Sequence, residues 1–237
     1  MENKYNALSL RSVDYGESDK IVTLLTLERG KFAVRARGCR TAKAKLRYAV
    51  SPLCFGIYII ADKGDKGTLV SCDAIETFNC VSENLDKYYV ASIILEAADK
   101  FSPEDSADGE LFFLIINSLK NLCYGDNTPM ESGIIFLLNM LRKAGYAINI
   151  DISADKADNI CFDYENGKLC LYAKCSKYFE YISFNEAKLL RDLIVSGKSE
   201  AYNLAEIKNI YRVLAKYIYY TTNKKINTIN EYINILL

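Results

Sequence analysis

The chain has 237 residues, half of them hydrophobic and a quarter charged, with 30 basic and 30 acidic side chains balancing to zero; this is ordinary globular composition, enough for one large domain or two small ones. It contains no histidine, which removes Ser–His and Cys–His nucleophile pairs, histidine bases and histidine metal ligands, and no paired carboxylates stand out, so an enzyme is not expected. The start MENKYNALSL lacks the cationic-then-apolar order of a signal peptide, and no apolar run reaches the roughly 18 residues of a membrane span, so a soluble cytoplasmic protein is expected.

Residues 6–13 alternate as a strand does, and Asp14-Tyr15-Gly16-Glu17-Ser18-Asp19 reads as a polar turn. Residues 20–27 are β-branched and apolar, and Glu28-Arg29-Gly30 is a tight turn into a third strand at 31–37. A fourth strand at 53–61 is nearly all apolar, which predicts burial on both faces. The turn 62–67 leads to a fifth at 68–76. Gly64-Asp65-Lys66-Gly67 lacks the spacing of a phosphate loop. Five short strands in about 75 residues suit a small closed barrel, with the OB-fold as first choice.

The third strand opens the most polarised stretch of the chain. Residues 29–47 hold eight basic side chains and no acid. The period of two sends Phe32, Val34 and Ala36 to one face and Arg35 and Arg37, with Lys31 in line, to the other. Gly38 ends the strand, and a basic loop carries Arg40, Lys43, Lys45 and Arg47. A rung of cations continued by a cationic loop suits a polyanion backbone. A solvated strand face and charged loop suit the same residues, and charge alone does not choose between them.

From residue 84 the period changes. Helices are predicted at 84–101, with Leu85, Tyr88, Tyr89 and Ile93-Ile94-Leu95 towards a core, at 108–123, and at 129–144, which opens on Pro129 and stops at Gly145. A polar linker at 151–159 precedes a hairpin at 160–172 turning on Glu165-Asn166-Gly167. Helices return at 185–196, 203–220 and 228–237. Residues 211–225 mix aromatics with Arg212, Lys216, Lys224 and Lys225. They fit either a second nucleic-acid contact or, more simply, aromatics packed into the helical body with solvated lysines. Charge is uneven: residues 1–80 carry 13 basic and 9 acidic groups, whereas residues 81–160 carry 6 and 13. A polyanion should therefore favour the ends of the chain. The eight scattered cysteines read as free, packed thiols of a reducing compartment.

The residues Tyr15-Gly16-Glu17-Ser18-Asp19-Lys20-Ile21-Val22, then Leu25-Thr26, Glu28-Arg29-Gly30-Lys31, and Arg37-Gly38 followed by basic residues to Leu46-Arg47 resemble the N-terminal domain of the bacterial recombination-mediator family RecO. Weaker similarity runs onward, through Leu141-Arg142-Lys143-Ala144-Gly145-Tyr146 and the stretch from Lys216 to Ile226. The resemblance implies an α+β chain: an OB-fold at 1–80 that binds nucleic acid, a helical domain at 81–150, a degenerate zinc-finger-like hairpin at 151–182, and C-terminal helices at 183–237 packing on the helical domain. It further implies binding of single- and double-stranded DNA and annealing of complementary strands; the residues the charge reading offers for the contact are Lys31, Arg35, Arg37, Arg40, Lys43, Lys45 and Arg47. The implied partners are RecR, the acidic tail of single-strand-binding protein and, indirectly, RecA, at the bacterial nucleoid. A protein-docking adaptor with weak DNA affinity is the alternative, with Arg142 and Lys143 as weak partner-binding candidates; helix capping explains those two equally well.

Many members of that family hold a structural zinc on two CxxC pairs. Here the place of the first pair reads DISADKADN, and the second is stretched, with four residues between Cys170 and Cys175. Cys161 offers a third sulfur, but there is no histidine to complete a tetrahedron. A metal-free hairpin and no cofactor are therefore expected.

Overall fold

The computed structural model describes residues 2–41, 44, 46–61, 67–151, 159–199 and 202–236. It divides into two compact units: Met1–Asn84 with Ile94–Cys123, and Leu85–Ile93 with Tyr124–Leu237.

The first unit is built on five strands, β1 (Glu2–Tyr15), β2 (Asp19–Thr26), β3 (Gly30–Ala36), β4 (Phe55–Ala61) and β5 (Gly67–Glu76). They close in the order β1-β2-β3-β5-β4, and the short parallel pairing of Val34 with Gly67 and Arg35 with Thr68 seals the barrel. This is the OB-like arrangement expected. β1 runs longer than its alternation suggested because it serves two neighbours. Glu2 to Leu8 pair with β4, and Ala7 to Tyr15 pair with β2, with a register shift between Ser9 and Arg11. Such shifts bend a strand around a closing sheet.

Period-two alternation fills the interior with Tyr5, Val22, Leu24, Phe32, Val34, Tyr58, Ile60 and Leu69. β4 is not buried on both faces as expected. Gly56, Tyr58 and Ile60 are buried, while Phe55, Ile57 and Ile59 are half-buried. The outer face is apolar because part of it is covered: Phe55 meets Phe112 of α2 (Gly109–Tyr124), edge to face at 6.2 Å. The turn residues 62–66, Lys43, Lys45, and the linker 152–158 lie outside the described residues.

Gly30 carries a specific constraint. It takes φ +79, and a Cβ there would lie 2.1 Å from the Ser106 carbonyl oxygen. The segment 103–106 is laced to the start of β3, with the Lys31 N–H donating to Pro103 and the Asp105 N–H to Lys31. We expect Gly30→Ala to cost about 2 kcal/mol, from positive φ and a backbone clash, read as a lower denaturation midpoint at unchanged slope.

The thiol expectation needs one correction: Cys80 and Cys123 are joined as a disulfide across 43 residues. Distance along the chain hid this pairing, which depends on how the end of α2 meets the turn at Asn79–Glu83.

α1 (Leu85–Phe101) contributes its first half to the second unit and its remainder to the first. Its buried stripe is Val90, Ala91, Ile93, Ile94, Ala97 and Ala98. Leu85 and Tyr88 lie off that stripe and are exposed, which corrects the expectation that they face a core.

The second unit holds α3 (Pro129–Lys143), α4 (Phe184–Val195), α5 (Leu204–Thr222) and α6 (Asn227–Ile235). Thr128 and Glu131, Ser183 and Glu186, and Asn203 and Glu206 form capping boxes at the starts of α3, α4 and α5. α3 stops where expected. Gly145 takes φ +85, the Tyr146 N–H donates to Leu141, and the Gly145 N–H donates to Arg142.

The predicted hairpin is part of a larger sheet. β7 (Ile160–Asp163) and β8 (Lys168–Leu171) pair as expected, and β6 (Asn149–Asp151) and β9 (Phe179–Tyr181) flank them in the order β6-β8-β7-β9. Strands of three residues are too short to show a period in sequence. Asp163 ties this sheet together. It is fully buried, and its carboxylate accepts from the backbone N–H groups of Glu165, Asn166 and Ser176 and from the side chains of Asn166 and Ser176, at 2.6–3.2 Å.

Candidate nucleic-acid interface

The outward residues of β3 carry the basic rung into space. Phe32, Val34 and Ala36 point inward, so Lys31, Ala33 and Arg35 point out, followed by Arg37. β1 adds Arg11 and Tyr15, and β5 adds Gly67 and Thr68. Together they line a cleft of about 530 Å³ on the outer face of the barrel. Arg37 also lines a second cleft, with Tyr48 and Val70, and Cys39 links that one to a third lined by Lys20, Arg40 and Arg47. Five of the sequence candidates, Lys31, Arg35, Arg37, Arg40 and Arg47, thus lie on one run of clefts.

Acid partners divide these cations into two kinds. Lys31 is mostly covered, its Nζ donating to the Asp99 carbonyl and lying 3.3 Å from the Asp99 carboxylate. Arg11 reaches the same carboxylate at 2.9 Å, and Arg29 meets Asp105 at 2.6 Å while covering the Phe32 ring at 4.4 Å. Arg35 is held by Asp19 at 2.6 Å and lies over the Tyr15 ring at 5.1 Å. Arg40 meets Asp14 at 3.2 Å and donates to the Gly16 carbonyl. By contrast, Arg47 is exposed, its guanidinium donating to the Thr41 carbonyl with no acid partner among the described residues, and Arg37 is exposed with no hydrogen bond or ion pair among the described residues. Sequence reasoning missed Arg11 and the neutralising acids, because Asp99 lies 68 residues from Lys31.

The geometry explains the Tyr15-to-Lys20 motif. Gly16 takes φ +62 in the β1–β2 turn. Asp19, which ends that turn, is buried and accepts from the Gly38 backbone N–H at 2.8 Å and from Arg35. The Gly38 hydrogen bond, and then Arg35, hold its carboxyl below the usual range. One carboxylate therefore fixes both the end of β3 and the reach of Arg35. The assembled surface can grip a polyanion by charge, with rings at its edge.

The three sequence candidates for metal also come together. Cys161 and Cys170 stand opposite each other across β7 and β8, and the Cys170 and Cys175 sulfurs are 3.3 Å apart. Burial pushes all three thiols up, Cys170 to about 12. The nearby Asp163 carboxylate is taken up by its five donors. Among the described residues no three Cys, His, Asp or Glu side chains are grouped so as to hold a metal ion. Arg142 and Lys143 are exposed in the last turn of α3, where cations suit the helix dipole. No helix among the described residues is long and apolar enough to cross a membrane.

Comparison with known proteins adds a family. Residues 1–78 match the family model described as "Recombination protein O N terminal", and residues 82–228 match "Recombination protein O C terminal". The chain is 27% identical over 221 residues to a protein of Acetivibrio thermocellus named DNA repair protein RecO, covering 90% of this chain and 87% of that one. Proteins of the same name from Bacillus pumilus and Bacillus subtilis are 34% and 33% identical over 150 and 135 residues. Those matches cover 62% and 57% of this chain but only 57% and 53% of the relatives, a little over half their length.

Proposed function

The chain belongs to the RecO family of DNA repair proteins, and on that premise we propose that it is a recombination mediator acting by binding, not by catalysis. It binds single- and double-stranded DNA across the barrel clefts. Arg37 and Arg47 supply the mobile charge, Lys43, Lys45 and Arg40 extend it, and Arg35 is held in place by Asp19. Bound strands keep their bases free, so a surface that neutralises two backbones offsets their repulsion and lets complementary strands anneal. In this reading the protein works with RecR and the acidic tail of single-strand-binding protein to help load RecA. Arg142 and Lys143 are weak candidates for the tail. The protein needs no zinc and acts in the bacterial cytoplasm at the nucleoid.

The observation that carries this reading is the contrast within one basic face: Arg37 and Arg47 have no acid partner among the described residues, while their neighbours do. A corollary follows for Asp14, an exposed carboxylate that pairs with Arg40 and Lys20. Asp14→Asn is expected to raise affinity for a single-stranded oligonucleotide about threefold by releasing those charges. The annealing step is tested by following two complementary labelled oligonucleotides by energy transfer. We expect acceleration by the full chain that fades with added salt. Tight binding without acceleration would contradict annealing.

A further inference from the structure

A second groove, of about 710 Å³, lies in the other unit between β9 and α5. Its walls are Tyr164, Tyr178, Phe179, Tyr219 and Tyr220 with Lys177, Glu180, Lys216 and Asn223. Three of these tyrosines are well exposed: Tyr178 at 62%, Tyr219 at 55% and Tyr220 at 48%. Tyr178 and Tyr220 face each other across 6.1 Å, tilted by 43°. Beyond the groove, Phe179 contacts Tyr172 and Tyr181, both more than half exposed, so the open rings continue along the sheet.

Single exposed aromatics are ordinary, but a gathered set is not. α5 shows that these positions are separate from the core: Tyr211 and Tyr217 are buried, whereas Tyr219 and Tyr220 leave their faces to water. The residues favour one class of occupant. A groove for an apolar peptide side chain would be lined by aliphatic groups, and none lines this one. Its surfaces are flat rings, its free charge is positive, and its one acid is already occupied. Glu180 accepts from Lys216 at 2.5 Å and from the Tyr164 hydroxyl at 2.8 Å. Lys177 is exposed with no acid partner among the described residues. Flat rings beside the Lys177 cation match a ligand that alternates planar bases with phosphates.

We propose that the groove between β9 and α5 is a second nucleic-acid site, specific for single strands, in which Tyr178 and Tyr220 stack on bases while Lys177 meets the backbone and Lys216 stays paired with Glu180. In a duplex the base faces are stacked on each other, so this site discriminates strands in a way that a purely cationic surface does not.

The test uses the full chain and a thymidine oligonucleotide carrying 5-iodouracil, with cross-linked peptides mapped after irradiation. Cross-links are expected on Tyr178 or Tyr220, and they should persist in Arg37→Glu/Arg47→Glu, where barrel binding is impaired. In that background, Tyr178→Ala/Tyr220→Ala should weaken single-strand binding at least tenfold and leave duplex binding unchanged. Tyr178→Phe/Tyr220→Phe, which keeps the ring faces and the packing, should bind as the tyrosine form does. Cross-links confined to the barrel, or equal single-strand binding by the alanine pair, would overturn the proposal and leave the groove to a peptide partner. Failure of the barrel variant to lose binding would instead count against the barrel reading and leave this one standing.

Discussion

Arg37→Glu/Arg47→Glu is expected to weaken binding of both single- and double-stranded DNA on the order of fifty-fold at about 0.1 M salt. Each lost phosphate contact removes roughly 0.7–0.9 of a log unit per log unit of salt, so the pair should also flatten the salt slope by roughly 1.4–1.8. The choice of residues is structural. Reversing Arg35 or Lys31 would break an ion pair with Asp19 or Asp99 and disturb the barrel, confusing affinity with stability. Arg37 and Arg47 are exposed and hold no acid among the described residues, so their reversal should leave thermal unfolding within about 0.5 kcal/mol of the parent. Arg35→Ala makes the useful contrast. It should lose less affinity than either exposed arginine, because Asp19 already offsets its charge, and it should lower stability by unpairing a buried carboxylate.

The largest stability effect should come from Asp163→Ala. Five donors converge on that buried carboxylate, and removing it orphans them beneath the small sheet. A loss of about 4 kcal/mol is expected, with the unit containing β6 to β9 unfolding first in hydrogen exchange. The same group sets a pH dependence. Burial alone would push the Asp163 carboxyl up; hydrogen bonds from Asn166 and Ser176 outweigh it and hold the group at about 2. The folded value lies below the ordinary carboxyl value near 4. The stabilisation is therefore complete above pH ~4 and is lost as pH falls towards ~2, about 2 kcal/mol in all. Asp163→Asn should abolish that acid limb. This hairpin is thus organised by a saturated carboxylate.

The barrel was legible because its strands alternate cleanly, with inward Phe32, Val34 and Ala36 against outward Lys31 and Arg35, and because Gly16 and Gly30 mark turns that need positive φ. The helices of the second unit were legible from their caps, with Pro129 opening α3 and Gly145 closing it. What sequence could not show is pairing at a distance. Lys31 reads as one rung of a ladder with Arg35 and Arg37, yet Asp99 claims it. The aromatics of 211–225 fit either an open contact or the helical core, and the structure divides them: Tyr211 and Tyr217 are buried, while α5, turning about 100° per residue, leaves Tyr219 and Tyr220 facing water. β6 and β9 escaped notice because three residues establish no period.

The central claim is that this chain holds nucleic acid by charge on its barrel. It is tested most directly by measuring the affinity of the unaltered protein for a short single-stranded oligonucleotide across a series of salt concentrations. A straight fall of log affinity with log salt is predicted, with a slope of at least about 2, enough for several phosphate contacts. A slope near zero, or no binding in dilute buffer, would contradict it.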